Sequence, residues 1–316
     1  MIVFDIFIVF ISLILLAIIS DRTIRYASML SELYGLSQMA TGFILLSIAT
    51  SLPELSFSVL ASIRGEGGLA FGNVMGSNIA NLTIILGLTI IISRMSIEIK
   101  QENQKELVQF LFIASIIPLF IIQIGSLSPV LGIILLILFI YFCINISKKK
   151  VPEIKSLKPV KSTQKIAIYT KFRITIVLII VISIFTVESS INIANFLELP
   201  PSILGATIVG LGTSLPELVT SIQALRKNMG EMALGNILGC CIINITLILG
   251  LSSIFNFYTV NVTAASGLMF FTLLSTTFVL YAISSKKIID KKVAYILLLI
   301  YIFFVLQELG FSLFIF

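Results

Sequence analysis

Apolar runs of about 20 residues, each almost free of charge, recur from one end of this sequence to the other. A helix of about 20 apolar residues spans roughly 30 Å of hydrocarbon. In water such a chain could not cover itself: 58% of its 316 residues are hydrophobic, only 11% are charged, and the mean hydropathy is +1.14. The sequence therefore predicts an all-α integral membrane protein. The first run, Ile2 to Ser20, does not resemble a signal peptide. No basic residue precedes it, Asp5 stands near its start, and it is too long. It reads as the first span.

Charged and turn-rich breaks divide the chain into ten predicted spans, at 2–20, 36–62, 69–93, 107–123, 128–147, 166–196, 203–225, 232–256, 262–284 and 292–315. With that division, twenty of the 21 Lys and Arg residues fall on one face, and only Arg64 falls on the other. A missing span would scatter them. The positive-inside rule puts the basic face in the cytoplasm and both termini outside a cell membrane. The net charge of +6 is then a topology signal that needs no nucleic-acid partner. The polar run 148–165 reads as a cytoplasmic linker. It joins a first five-helix unit, 1–147, to a second, 166–316.

The two units carry the same segment. Residues 42–87 align without a gap on 205–250, an offset of 163, and 20 of the 46 positions are identical. Each unit has an odd number of spans, so the second copy enters the membrane from the opposite side. The expected fold is thus ten transmembrane helices in two inverted-topology repeats. Secondary transporters use this plan, with the substrate site near the midplane between the copies.

"ATSLPE" (49–54) and "GTSLPE" (212–217) head the repeat. Pro53 has no N–H to offer the carbonyl of Ala49, and Pro216 none to offer that of Gly212. Spans 2 and 7 should therefore be broken helices. Bare carbonyls survive at membrane depth only where they line a cavity or an ion site. Thr50, Ser51, Thr213 and Ser214 add hydroxyls, and Glu54 and Glu217 add carboxylates. A charged side chain costs about 3 kcal/mol at the bilayer centre unless it is paired or neutralised. No Lys or Arg lies deep within a span to pair with these two, so the natural partner is a mobile cation. Ca²⁺ prefers six to eight hard oxygen ligands. Two negative charges match one Ca²⁺, or a set of Na⁺ or H⁺.

"GNVMGSNIAN" (72–81) and "GNILGCCIIN" (235–244) follow in each copy. Gly72, Gly76, Gly235 and Gly239 read as packing positions that let helices approach closely. Asn73 and Asn236 fit helix–helix hydrogen bonding as well as support of a site, while Asn81 and Asn244 bring amide oxygens into the membrane. Asp21, Glu188 and Glu308 lack such neighbours and read as structural. Histidine is absent, which disfavours His-dependent hydrolase triads and most zinc sites. The three cysteines, Cys143, Cys240 and Cys241, have neither a disulfide nor a metal-cluster spacing. No catalytic residue and no resident cofactor is expected.

The paired "TSLPE" and "GN…GSNI.N" motifs resemble the repeats of the cation/Ca²⁺ exchanger superfamily, especially prokaryotic Na⁺/Ca²⁺ exchangers. The resemblance covers both halves. It implies an antiporter that exchanges Ca²⁺ for Na⁺ by alternating access, with a site between spans 2, 3, 7 and 8. It implies that Glu54 and Glu217 are the main Ca²⁺ ligands, with the carbonyls of Thr50 and Thr213. Na⁺ would also use the carbonyls of Ser47 and Gly210, the side chains of Ser51, Ser77 and Ser214, and the threonine hydroxyls. Asn81 and Asn244 would flank the centre. It further implies that spans 1 and 6 slide across the other eight. Two features depart from the pattern: Cys240 stands opposite Ser77, followed by Cys241 opposite Asn78, and Asn244 stands where some members of the family carry Asp. A thiol is a poor ligand for a hard cation. A Ca²⁺/H⁺ exchanger is therefore the alternative, and a cation channel a more distant one.

Overall fold

The computed structural model describes residues 2–65, 67–147, 162–196, 210–255, 257–259 and 262–309. Most of the linker (148–161) and the start of the seventh predicted span (203–209) lie outside the described residues. The described chain is almost wholly helical. Its helices are α1 (Ile2–Tyr34), α2 (Gln38–Thr50), α3 (Leu52–Ile63), α4 (67–93), α5 (Gln101–Ile124), α6 (Pro129–Ser147), α7 (Ser162–Phe196), α8 (Gly210–Thr213), α9 (Leu215–Arg226), α10 (Gly230–Phe255), α11 (262–286) and α12 (Lys291–Glu308). Five are long and apolar enough to cross a membrane, or six when the bent pair α2–α3 counts as one span. Some of the others fall short for visible reasons. The helix α12, for one, carries Lys291, Lys292 and Glu308 at its ends.

The first helix corrects a predicted boundary. Arg22 and Arg25, assigned from sequence to a loop after residue 20, lie on α1, which continues to Tyr34. No proline or glycine interrupts residues 21–34, so charge alone does not end the helix. Gly35 ends it, at φ +64°, with the N–H of Leu36 donating to the carbonyl of Ser31 at 2.9 Å. That is a Schellman closure, in which a left-handed glycine turns the chain back on the last carbonyls. The helix α7 likewise starts at Ser162, four residues before its predicted start.

The breaks fall where two copies of one motif place them. The helices α2 and α3 meet at Ser51 with a bend of 45°. Ser51 has φ −84° and ψ 8°, and Ser214, between α8 and α9, has φ −87° and ψ 7°. Pro53 and Pro216 each take the second position of the helix that restarts. There the missing N–H costs nothing, because the first-turn donors have no helical acceptor anyway. The proline ring would collide with the carbonyl four residues earlier, so the preceding helix stops short of it.

The helices α4 and α10 form the centre, and their apolar windows are 78% and 83% buried, against 27% for α1 and 22% for α6. Small residues make that burial possible. A Cβ on Gly235 would stand 2.5 Å from the carbonyl oxygen of Met39, and one on Gly239 would stand 2.6 Å from Ser47 Oγ. Both central helices pass through a π-helical turn at equivalent positions, Asn81–Ile85 and Asn244–Ile248. Some threonine hydroxyls in the apolar layers satisfy themselves on their own helices. Thr89 donates to the carbonyl of Ile85 at 2.7 Å, and Thr246 to that of Ile242 at 2.6 Å.

Short strand pairs tie the connections together. Ile97–Glu98 pairs with Ile288–Ile289, and Ser126–Leu127 with Tyr258–Thr259, both antiparallel. Polar contacts add to this. Lys227 Nζ lies 2.8 Å from Asp21 Oδ1, and Lys100 Nζ lies 3.0 Å from Glu231 Oε2.

Candidate cation site

The restarting helices α3 and α9 each begin with a carboxylate, because the glutamate directly follows the proline. Glu54 is 1% exposed and Glu217 is fully buried. The preceding serines cross over. Ser51 Oγ donates to Glu217 Oε1 at 3.3 Å, and Ser214 Oγ donates to Glu54 Oε1 at 3.2 Å. Each copy thus holds the carboxylate of the other. Glu54 Oε2 and Glu217 Oε2 are both buried and accept no hydrogen bond from the protein.

The carbonyls singled out from sequence are also reached from the opposite copy. Ser77 Oγ donates to the carbonyl of Gly210 at 3.4 Å. At the equivalent place Cys240 Sγ lies 3.8 Å from the carbonyl of Ser47. The Ser47 hydroxyl itself bonds back to the carbonyl of Phe43. Thr50 and Thr213 are both buried. Thr50 Oγ1 has three acceptors within reach: the carbonyl of Leu46 at 3.1 Å, Asn236 Oδ1 at 3.4 Å and the carbonyl of Ser47 at 3.5 Å. A hydroxyl carries one proton and donates to one of these at a time. Thr213 donates to the carbonyl of Gly210 at 3.2 Å. Around the two glutamates, oxygen acceptors outnumber the protons available to them.

Asn81 and Asn244 differ although they occupy equivalent positions. Asn244 Nδ2 donates to Asn78 Oδ1 at 2.9 Å, and Asn244 Oδ1 has no partner. Both amide atoms of Asn81 are buried without a partner. The repeat accounts for the difference: the residue equivalent to Asn78 is Cys241, which has no amide oxygen to accept.

Supporting residues emerge that the motif alone left undecided. Asn73 Nδ2 donates to Ser58 Oγ at 3.1 Å, and Asn236 Nδ2 donates to Ser221 Oγ at 3.0 Å, again equivalent positions. Asn236 also reaches Thr220 Oγ1 at 3.1 Å. These amides clamp the restarting helices α3 and α9 onto α4 and α10. Their signal in the sequence was the repeated Gly-Asn pair. Cys240 is nearer the centre than its thiol suggested, with Sγ 3.4 Å from Glu217 Oε1. Among the described residues no group of three or more His, Cys, Asp or Glu side chains is placed to hold a metal ion. A cation here would therefore be met by two carboxylates together with hydroxyls, amides and carbonyls, which is a hard-oxygen donor set.

Comparison with known proteins agrees. The family model described as sodium/calcium exchanger protein matches residues 4–148 and 169–309. The sodium/calcium exchanger MaX1 of Methanosarcina acetivorans is 30% identical over 295 residues, covering 80% of this chain and 82% of that protein. The inner membrane protein YrbG of Escherichia coli is 29% identical over 254 residues, covering 77% and 78%. A crystal structure of the sodium-calcium exchanger NCX_Mj, soaked with Na⁺ and without Ca²⁺, superposes with a TM-score of 0.82 at 27% identity over 96% of this chain and 98% of that one. A match that runs through both halves, with the fold reproduced around the doubled motif, shows that this membrane protein belongs to the sodium/calcium exchanger family.

Proposed function

We propose that the chain is a secondary antiporter that exports Ca²⁺ in exchange for Na⁺ at a single site built by Glu54 and Glu217. The observation that carries this reading is the crossed pair of bonds, Ser51 to Glu217 and Ser214 to Glu54, which leaves one buried oxygen of each glutamate unpartnered. In this reading Ca²⁺ takes the two carboxylates and the carbonyls of Thr50 and Thr213. Na⁺ ions use the same carboxylates with Ser47, Ser51, Ser77, Gly210, Ser214 and the threonine hydroxyls, while Asn81 and Asn244 flank the centre. Coupling then follows from electrostatics. The empty site carries two negative charges, each costing about 3 kcal/mol in the bilayer, so it moves past the apolar barrier only when loaded.

The same reading takes the fold as ten spans in two inverted repeats, 1–147 and 166–316, joined by a cytoplasmic linker at 148–165. Contacts between connections support it. The strand pair 97–98 with 288–289 joins two connections assigned from sequence to the basic face, and 126–127 with 258–259 joins two assigned to the opposite face. Lys227 with Asp21 and Lys100 with Glu231 join residues assigned from sequence to the basic face, whereas Asp5 with Asn192, at 3.1 Å, joins helix ends on the other. An inverted repeat suits alternating access, in which one part rocks against a fixed site.

Radioactive calcium uptake into proteoliposomes tests the reading. Uptake should follow an outward Na⁺ gradient and ignore a proton gradient. Cys240 in place of a hydroxyl favours a second reading, Ca²⁺/H⁺ exchange, and uptake driven by protons with no response to Na⁺ would select it. Steady single-channel currents would instead select a channel.

A further inference from the structure

The two copies offer different chemistry at one equivalent position, and that difference has a ligand. Ser77 and Cys240 are both fully buried, and each faces the carbonyl of the other copy's broken helix. Where Ser77 presents oxygen, Cys240 presents sulfur. Oxygens surround that sulfur: Glu217 Oε1 at 3.4 Å, Thr50 Oγ1 at 3.6 Å and the carbonyl of Ser47 at 3.8 Å. Glu217 is itself fully buried and keeps Oε2 unpartnered beside this cluster. At Cys241 it is the backbone carbonyl that is engaged, accepting from Asn78 Nδ2 at 3.2 Å. Cys143 lies on the peripheral helix α6.

We propose that the half of the site formed by Cys240, Glu217, Thr50 and the carbonyl of Ser47 is a mixed sulfur–oxygen site for a thiophilic divalent cation, with Cd²⁺ as the probe. Thiolate selects soft metals, while carboxylate and carbonyl suit hard ones. A cation of intermediate softness engages both kinds of donor here, whereas Na⁺ gains nothing from the sulfur. Cys240 thereby determines specificity, tilting one of two equivalent half-sites away from hard monovalent ions. Forming the sulfur–metal bond breaks the S–H bond, and the proton is released to water. The inference rests on the site reading above, because it takes Glu217 to be a cation ligand.

The test is Cd²⁺ binding to the purified full-length chain, followed by cadmium NMR and by the ultraviolet thiolate-to-metal charge-transfer band. Expected are a resonance shifted by one sulfur ligand, the band, and proton release in weak buffer. Cys240→Ser should remove the band and lower Cd²⁺ affinity relative to Ca²⁺ by about tenfold or more, equivalent to about 1.4 kcal/mol. Cys241→Ser and Cys143→Ser should keep the band. A cadmium resonance in the oxygen-only range in the unmodified protein overturns the proposal without any variant. So does a band that survives Cys240→Ser or vanishes with Cys241→Ser. The outcomes separate from the coupling question. Na⁺-driven Ca²⁺ uptake with oxygen-only Cd²⁺ sinks this site alone, and sulfur-bound Cd²⁺ in a protein whose uptake ignores Na⁺ sinks the exchange reading alone.

Discussion

Gly72 and Gly235 are equivalent residues in the two copies, and alanine at each should behave differently. At Gly235 an added Cβ meets the carbonyl oxygen of Met39 at 2.5 Å, Met39 Sδ at 3.1 Å and the backbone nitrogen of Phe43 at 3.2 Å. Ordinary contact begins near 3.4 Å, so α2 must retreat by nearly an ångström, and backbone cannot swing aside as a side-chain end can. At Gly72 no described residue comes within 4 Å of such a Cβ. Replacing a helical glycine by alanine gains about 0.5–1 kcal/mol of backbone entropy at either position. That gain cancels between the variants. The difference isolates the clash, which overpacking data put at about 1–3 kcal/mol, or roughly 5- to 150-fold in an equilibrium. Gly72→Ala should match or exceed the unmodified protein in thermal stability in detergent, read as the monodisperse fraction after heating. Gly235→Ala should fall below it, and its Ca²⁺ uptake should drop further, because Met39 and Phe43 belong to the helix that carries Thr50. Gly235→Ala as stable as the unmodified protein would refute the close approach of α2 and α10.

Asn236→Ala removes donors to Thr220 and Ser221 and an acceptor for Thr50. Thr50 keeps the nearer carbonyl of Leu46, so at about 0.6 kcal/mol per hydrogen bond in a membrane interior the loss should be about 1.2 kcal/mol, measured by the same heating assay. Asn73→Ala should cost less, since only its bond to Ser58 is lost. Asp290 caps α12, with Oδ1 accepting from the N–H of Val293 at 3.0 Å, and that bond holds its carboxyl below the ordinary aspartate value. A carboxyl lowered on folding stabilises above its unfolded value and loses that effect as pH falls through the folded one. Asp290→Ala should therefore lower thermal stability at neutral pH, and the gap should close in strong acid. A gap that persists there would contradict the capping role.

How much of this was legible follows from what each residue needs. The break in spans 2 and 7 could be read because proline lacks an N–H, but its placement at Ser51 and Ser214 could not. That depends on where the ring collides with the preceding turn. The true end of helix α1 is hidden because charge at residues 21–25 marks where apolar sequence ends, which need not be where a helix ends. The π-helical turns at Asn81 and Asn244 have no local sequence cue. The crossed serine–glutamate bonds join residues 166 and 160 positions apart, and only the repeat hinted at them. The partnerless state of Asn81 became visible only when Asn78 and Cys241 were seen as equivalent positions facing different amides.

Calcium binding to the purified protein, measured by calorimetry with Na⁺ absent, bears most directly on the two glutamates. Glu54→Gln and Glu217→Gln keep the shape of each side chain and remove one negative charge. Losing one charged ligand, at roughly 3 kcal/mol, should weaken Ca²⁺ binding at least about a hundredfold in each variant while the fold persists. Ca²⁺ bound as tightly by either folded variant as by the unmodified chain would show that the ion sits elsewhere.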